Sequence, residues 1–194
     1  MPRVFTADYV EHATLRDGTQ VILRLVEPAD KELLLRGFEN WSAESRYARF
    51  FVPKLRLTDD ELTYLCDVDQ ENHFAFGAIR EGDGEPRGLG IARFIRLADV
   101  EGQPVTAEAA IAVCDEMQGK GLGRILFERL VPAAAERGIE RFRFEVLGQN
   151  TSMKQLIDTL APVHTTEVGG GVMCIDFALT DANLYGLFKA AATK

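Results

Sequence analysis

Residues 118–124, QGKGLGR, place three glycines and two cationic side chains in seven consecutive positions. Glycine at this density costs backbone entropy, so a chain carries it where the backbone approaches another group closely or takes a positive φ. An apolar run that ends at Cys114 precedes the stretch, and apolar residues at helical spacing follow it. The free N–H groups of a helix N-terminus reached through such a turn are suited to a phosphate. The stretch therefore predicts a phosphate-binding loop between a strand and a helix.

The segments on either side of this loop predict strands that alternate with helices. Alternating apolar residues, broken by turn residues such as Asp17-Gly18 and the triple glycine at 169–171, predict strands within 9–27, 72–80, 87–97, 106–114, 139–147 and 163–177. One-sided apolar spacing and capping residues predict helices within 28–41, 42–51, 57–66, 122–138, 150–160 and 181–192.

Composition and charge limit the class of protein. The 194 residues, 46% hydrophobic and 27% charged, predict a single globular domain over 1–194. A formal charge of -8 argues against a general nucleic-acid binder, because phosphate neutralisation needs a basic face. No segment approaches the length of a membrane span and the first residues do not resemble a leader, so we expect a cytoplasmic protein with no membrane partner.

The cysteines do not indicate a metal site or a disulfide framework. Cys66, Cys114 and Cys174 lie far apart, and no CxxC or CxH spacing joins them to another ligand. We interpret them as small packing residues and predict no metal.

The spacing of the glycines separates the loop from two common nucleotide motifs. A P-loop needs GxxxxGK[ST], which is absent, and in a GxGxxG pattern counted from Gly119 the last glycine is replaced by Arg124. The pattern that fits is [QR]xxGxG, which begins at Gln118. This motif is the signature of the GNAT superfamily of N-acetyltransferases.

The resemblance to this superfamily extends over nearly the whole chain and is strongest from about Glu108 to Asn150. It implies an acetyl-CoA core at about 105–162. DGTQVILRLVEPAD at 17–30 and SAESRYARFF at 42–51 are similar to the N-terminal part of bacterial Pat-type protein lysine acetyltransferases. The resemblance implies an α/β (α+β) fold: a mixed, twisted central β-sheet flanked by helices on both faces.

The resemblance also implies where the cosubstrate acetyl-CoA binds. Backbone groups of Ile111, Ala112 and Val113 would run beside the pantetheine arm and the thioester. Asn150 matches an asparagine that often contacts the pantetheine. The pyrophosphate would lie against the loop residues Gln118, Gly119, Lys120, Gly121, Leu122, Gly123 and Arg124.

Acetyl transfer to an amine needs a base, because a lysine-like amine with a pKa of ~10.4 is protonated at neutral pH. Glu108 resembles the strand glutamate that serves as base in Pat-type enzymes, and Glu145 resembles the glutamate used by other members; we favour Glu108. A backbone N–H of residues 111–113 would stabilise the oxyanion. The tyrosine that many members carry as acid is replaced by Ile157, which leaves the acid unassigned.

We therefore expect an acetyl-CoA-dependent N-acetyltransferase that acts by direct attack in a ternary complex. A protein lysine is the slightly preferred acceptor, and a small-molecule amine is the alternative. A non-catalytic acyl-CoA sensor stays open as a different class, because the tyrosine is missing. Whether the protein forms a homodimer is also open.

Overall fold

A computed structural model describes residues 3–80 and 86–180. Within these residues, eight strands form one sheet in the order β1-β2-β3-β4-β5-β6-β8-β7. The strands are β1 Val10–Thr14, β2 Gln20–Leu25, β3 His73–Arg80, β4 Arg87–Arg96, β5 Thr106–Val113, β6 Arg141–Leu147, β7 Thr165–Gly169 and β8 Val172–Ala178. The helices are α1 Lys31–Glu39, α2 Ala43–Phe50, α3 Asp59–Cys66, α4 Leu122–Ala135 and α5 Thr151–Leu160. The helix expected at 181–192 lies outside the described residues.

The sheet is mixed because β5 and β6 pair in parallel, whereas the other neighbouring strands pair antiparallel. The link between β5 and β6 runs through the glycine loop (residues 118–124) and α4, the crossover that a parallel pair requires. The strand and helix order predicted from the sequence is confirmed for the described residues, as is the mixed sheet.

Helices cover both faces of the sheet. On one face α4 packs closely: a Cβ atom at Gly90 of β4 would lie 3.0 Å from Leu126. On the other face α1 crosses β4, where Gly37 and Leu33 lie against Gly88. A β-bulge between Gly88 and Gly90 reverses the alternation of β4, so these two glycines serve opposite faces. The flanking helices predicted for both faces are therefore confirmed.

Local capping explains where α2 and α3 begin. The Ser42 hydroxyl accepts a hydrogen bond from the backbone N–H of Ser45. Thr58 and Glu61 form a capping box at the start of α3. Together with α1, these two helices form a helical layer, α1–α3, over the sheet face that carries Glu108.

Candidate active site

The strands β5 and β6 separate after three paired residues. Their register ends at Glu108 and Arg143, so the chain beyond these residues faces a gap instead of a neighbouring strand. The gap is a cavity with an empty volume of about 710 Å³, named here the strand-gap cavity. It is lined by residues 108–113 of β5, 144–146 of β6, Gln118, Asn150, Met153 and, from the helical layer, Trp41, Ser45, Ala48, Arg49 and Phe51.

The glycine loop lies at one end of this cavity. Gly119 and Gly121 have φ values of 74° and 93°, the left-handed region that other residues adopt only with strain. Gly121 is the N-cap of α4, and the first helical hydrogen bond runs from the Ile125 N–H to the Gly121 carbonyl over 3.1 Å. The N–H groups of residues 122–124 therefore have no acceptor within the helix.

The two cations of the loop already have carboxylate partners. The Lys120 ammonium lies 2.9 Å from Asp17, and the Arg124 guanidinium lies 2.7 Å from Glu128 one helical turn later. The hydrogen bond from Lys120 holds the pKa of Asp17 at about 2, so this ion pair is intact at neutral pH.

A third cation reaches the loop from a distant part of the sequence. The β1–β2 turn lies against the glycine loop, and the Arg16 backbone N–H donates to the Lys120 carbonyl over 3.1 Å. The Nε atom of Arg16 lies 3.4 Å from the position that a Cβ would take at Gly121. Sequence reasoning missed Arg16, and no sequence signal links position 16 to position 121, because only the sheet brings the turn here.

The residues predicted to hold the cofactor lie along one continuous path. Residues 111–113 and Gln118 line the strand-gap cavity, which ends at the glycine loop. Leu122 is fully buried in the core, so only its backbone faces the loop. Asn150 also caps α5, because its side-chain oxygen accepts from the Met153 N–H over 3.1 Å. The amide nitrogen of Asn150 is the part left for a ligand.

Both candidate glutamates line the cavity with exposed side chains. Glu108 is paired with Arg143, and Glu145 lies two residues beyond Arg143, so both carboxylates point to the same sheet face. Arg49 of α2 faces the same cavity, and its charge interacts with that of Glu108. Burial lowers the pKa of Arg49, and the Glu108 charge opposes that shift. Arg49 and Trp41 also line the cavity, but no sequence motif marks either position.

Asp115, which lies between β5 and the glycine loop, fastens α2 beside the cavity. Its carboxylate accepts hydrogen bonds from the Ser42 N–H, the Ser42 hydroxyl and the Ser45 hydroxyl at 2.6–2.9 Å. Gln118 adds a hydrogen bond from its side-chain nitrogen to the Ser45 hydroxyl at 3.3 Å. The helix that carries Arg49 is thus bound to the segment that leads into the loop.

Two other groups near the cavity have packing roles. Burial raises the pKa of the Cys114 thiol, which keeps it protonated at neutral pH. Ile157 is fully buried and has no proton to donate.

Among the described residues, no group of three His, Cys, Asp or Glu side chains could hold a metal ion. No helix of that part of the chain is long and apolar enough to cross a membrane.

Comparison with known proteins matches this geometry to a family. The sequence model of the acetyltransferase (GNAT) family matches residues 35–159. Acetyltransferase Pat of Mycolicibacterium smegmatis is 37% identical over 160 residues, which are 82% of this chain and 46% of Pat. The chain thus spans about half of the length of that curated relative.

Two solved structures have the same fold. The GNAT domain of S. lividans PAT superposes with a TM-score of 0.78 at 28% identity, over 90% of this chain and 99% of that domain. The structure of yncA from Salmonella typhimurium with acetyl-CoA superposes with a TM-score of 0.64 at 20% identity, over 84% of this chain and 96% of that one.

The predicted family and the predicted Pat-type resemblance are therefore confirmed. The family match covers most of the chain, including the helical layer, the separated strands and the glycine loop. This chain belongs to the acetyltransferase (GNAT) family.

Proposed function

We propose that the protein transfers the acetyl group of acetyl-CoA to a primary amine. The observation that carries this proposal is the strand-gap cavity, which joins a carboxylate-bearing strand to a helix N-terminus with unused N–H groups. Family membership and the yncA structure, which contains acetyl-CoA, support the choice of cosubstrate.

The residues present fit this cosubstrate. The turn at Gly119 and Gly121, both with positive φ, leads into α4, whose first N–H groups, those of residues 122–124, have no acceptor within the helix, and a pyrophosphate is the charge that such a site favours. The exposed guanidinium of Arg16 adds a positive charge beside Gly121. The unpaired edge of β5, residues 110–113, offers backbone groups to the amides of the pantetheine arm.

The chemistry we propose rests on groups of this chain. Glu108 accepts the proton of the acceptor ammonium, directly or through water, since its carboxylate is exposed to the cavity. Glu145 is the second candidate for this role. A backbone N–H of residues 111–113 donates to the oxyanion that forms when the amine attacks the thioester. Ile157, at the position of the family's tyrosine acid, is buried and cannot donate a proton. The departing thiolate therefore either takes a proton from water or leaves unprotonated.

For the acceptor we favour a protein lysine, because the N-terminal half of the chain resembles Pat-type enzymes and Pat is 37% identical. A small amine is the alternative acceptor.

The proposal is tested by the release of free CoA thiol from acetyl-CoA, with a panel of peptides and small amines as acceptors. We expect turnover with at least one lysine peptide, and acetyl-CoA should raise the Tm of the protein because it binds the folded state. Gly121→Glu, which places a negative side chain against the pyrophosphate, should abolish the rise. Gly102→Glu, at an exposed turn glycine with a similar φ of 75°, is the matched control. A protein that binds acetyl-CoA but turns over no acceptor would instead be an acyl-CoA sensor.

A further inference from the structure

A second cavity lies between the sheet and the helical layer. It has an empty volume of about 780 Å³, which includes space open to solvent, and we name it the Arg93 pocket. Its floor is formed by β2, β3 and β4, and its apolar walls include Leu33, Leu34, Phe38, Trp41, Phe50 and Ile91. It shares Trp41 and Arg49 with the strand-gap cavity, so the two cavities are neighbours.

The pocket contains a buried cation that has no counter-ion among the described residues. Arg93 is 4% exposed, and its guanidinium donates to the Nε2 atom of His73 over 3.0 Å and to the Leu65 carbonyl over 3.2 Å. Burial, together with the charge of Arg93, holds the pKa of His73 at about 4, so both acceptors are neutral at pH 7. A buried charge that is not paired with an opposite charge destabilises the folded state.

A second cation faces the same space. Arg49 lines the pocket, its guanidinium lies 5.4 Å from the centre of the Phe50 ring, and it has no hydrogen-bond or ion-pair partner within the described residues. Burial and the nearby charge of Arg49 lower the pKa of Arg93 to about 9. The two guanidinium groups therefore repel each other across an apolar cavity.

The described lining of the pocket contains one carboxylate, that of Asp30, and it is already paired with Arg24. Asp30 accepts two hydrogen bonds from Arg24, at 2.6 and 2.7 Å, and one from the Glu27 N–H. The pocket is thus an apolar space with two cations that no carboxylate of its described lining neutralises; outside the lining, the charge of Glu108 in the strand-gap cavity acts on Arg49.

We propose that the Arg93 pocket binds a small apolar carboxylate. The hydrocarbon body fills the space between α1 and the sheet, where it is removed from water. The carboxylate lies against Arg49 and Arg93, whose planar guanidinium groups match its geometry. This ligand supplies the negative charge that the described lining of the pocket does not provide to Arg49 and Arg93. The pocket borders the strand-gap cavity at Trp41 and Arg49, but none of the residues proposed to hold acetyl-CoA lines it, so the proposal does not depend on the proposed acetyl transfer.

The chain contains a reporter for this site, since Trp41 is its single tryptophan and lines the pocket. We would titrate the protein with octanoate and follow both Trp41 fluorescence and heat. We expect saturable binding. Octanamide, which has the same hydrocarbon body but no charge, should bind at least tenfold more weakly. Arg93→Met and Arg49→Met, which keep an unbranched apolar stem and remove the guanidinium, should each weaken octanoate binding at least tenfold.

Two further results separate this site from the cofactor site. Gly121→Glu should lose the Tm rise with acetyl-CoA and keep the octanoate titration, whereas Arg93→Met should show the reverse. Arg46→Met, which removes a guanidinium that stacks on Phe38 at 4.5 Å but does not line the pocket, is the matched control. Equal affinity for octanoate and octanamide, no saturable octanoate binding, or unchanged binding in both Arg93→Met and Arg49→Met would overturn the proposal.

Discussion

Lys120 of the glycine loop is bound to Asp17 of the β1–β2 turn, with 2.9 Å between the ammonium and the carboxylate. The loop lysine is therefore already neutralised, and the neighbouring Arg16 is the cation of this turn that lies against Gly121. This pairing changes which residues should contribute charge to a bound pyrophosphate.

Arg16→Gln should raise the KM for acetyl-CoA about tenfold and leave kcat nearly unchanged. A tenfold change is the lower end of what a charge-assisted hydrogen bond contributes to binding. Asp17→Asn should lower this KM, because it frees Lys120. Steady-state kinetics with acetyl-CoA as the varied substrate measures both. Arg56→Gln, at an exposed arginine before α3, is the control. If Arg16→Gln matches the control, Arg16 does not contact the cofactor.

Glu108→Gln should lower kcat by about a hundredfold or more, the usual contribution of a general base, because the amide cannot take the proton of the ammonium. The Tm rise with acetyl-CoA should persist, since the backbone path of β5 is unchanged. Glu145→Gln is the matched variant on the neighbouring strand and should stay close to the wild type. A large loss in Glu145→Gln with an active Glu108→Gln would reverse the assignment.

Asp115→Ala should detach the start of α2, because three hydrogen bonds to Ser42 and Ser45 are lost. We expect a loss of about 1–2 kcal/mol in the free energy of unfolding, since these groups are partly exposed. The KM for the acceptor should also rise, because Arg49 and Trp41 line the strand-gap cavity and would move with α2. Urea unfolding and acceptor kinetics measure the two effects. Glu116→Ala, at the next position, is the control, and an unchanged acceptor KM in Asp115→Ala would contradict the role of α2.

His73 should make the fold sensitive to mild acid. Burial and the charge of Arg93 lower its pKa to about 4, whereas in the unfolded chain it is near 6.5. Between these values the unfolded chain binds the additional proton, so stability falls as the pH drops from 6.5 towards 4 and this contribution levels off below 4. His73→Gln should remove this contribution.

The measurement is the free energy of urea unfolding of wild type and His73→Gln at pH 7, 5.5 and 4.5. Carboxylates contribute equally to both proteins, so the difference between the two isolates His73. His12→Gln, at an exposed histidine of β1, should follow the wild type. Parallel pH profiles of wild type and His73→Gln would refute the prediction.

Local patterns were sufficient for most elements of this fold. The capping box of Thr58 and Glu61, the turn at Asp17-Gly18 and the glycine-to-helix transition at Gly121 are formed by residues close in sequence, so the sequence predicts them directly. The mixed sheet was predicted from the resemblance to the family. Apolar periodicity could not predict it, because strand order depends on contacts between distant segments.

The predictions for the cofactor residues and the two glutamates remain predictions, but the structure adds their surroundings. Glu108 and Glu145 line one cavity because β5 and β6 pair through Glu108 and Arg143 and then separate. Where two parallel strands part is set by the packing beneath them, and neither strand sequence shows it.

By itself the sequence predicted a phosphate-binding loop at residues 118–124 and determined the family and the order of the elements, since each follows from side-chain chemistry at short spacing. Only the tertiary structure decided which charges meet: Arg16 at the glycine loop, Asp115 at α2, and Arg49 with Arg93 in one apolar pocket. The physical reason is that burial and ion pairing depend on distances in space. A sheet that joins positions dozens of residues apart sets those distances.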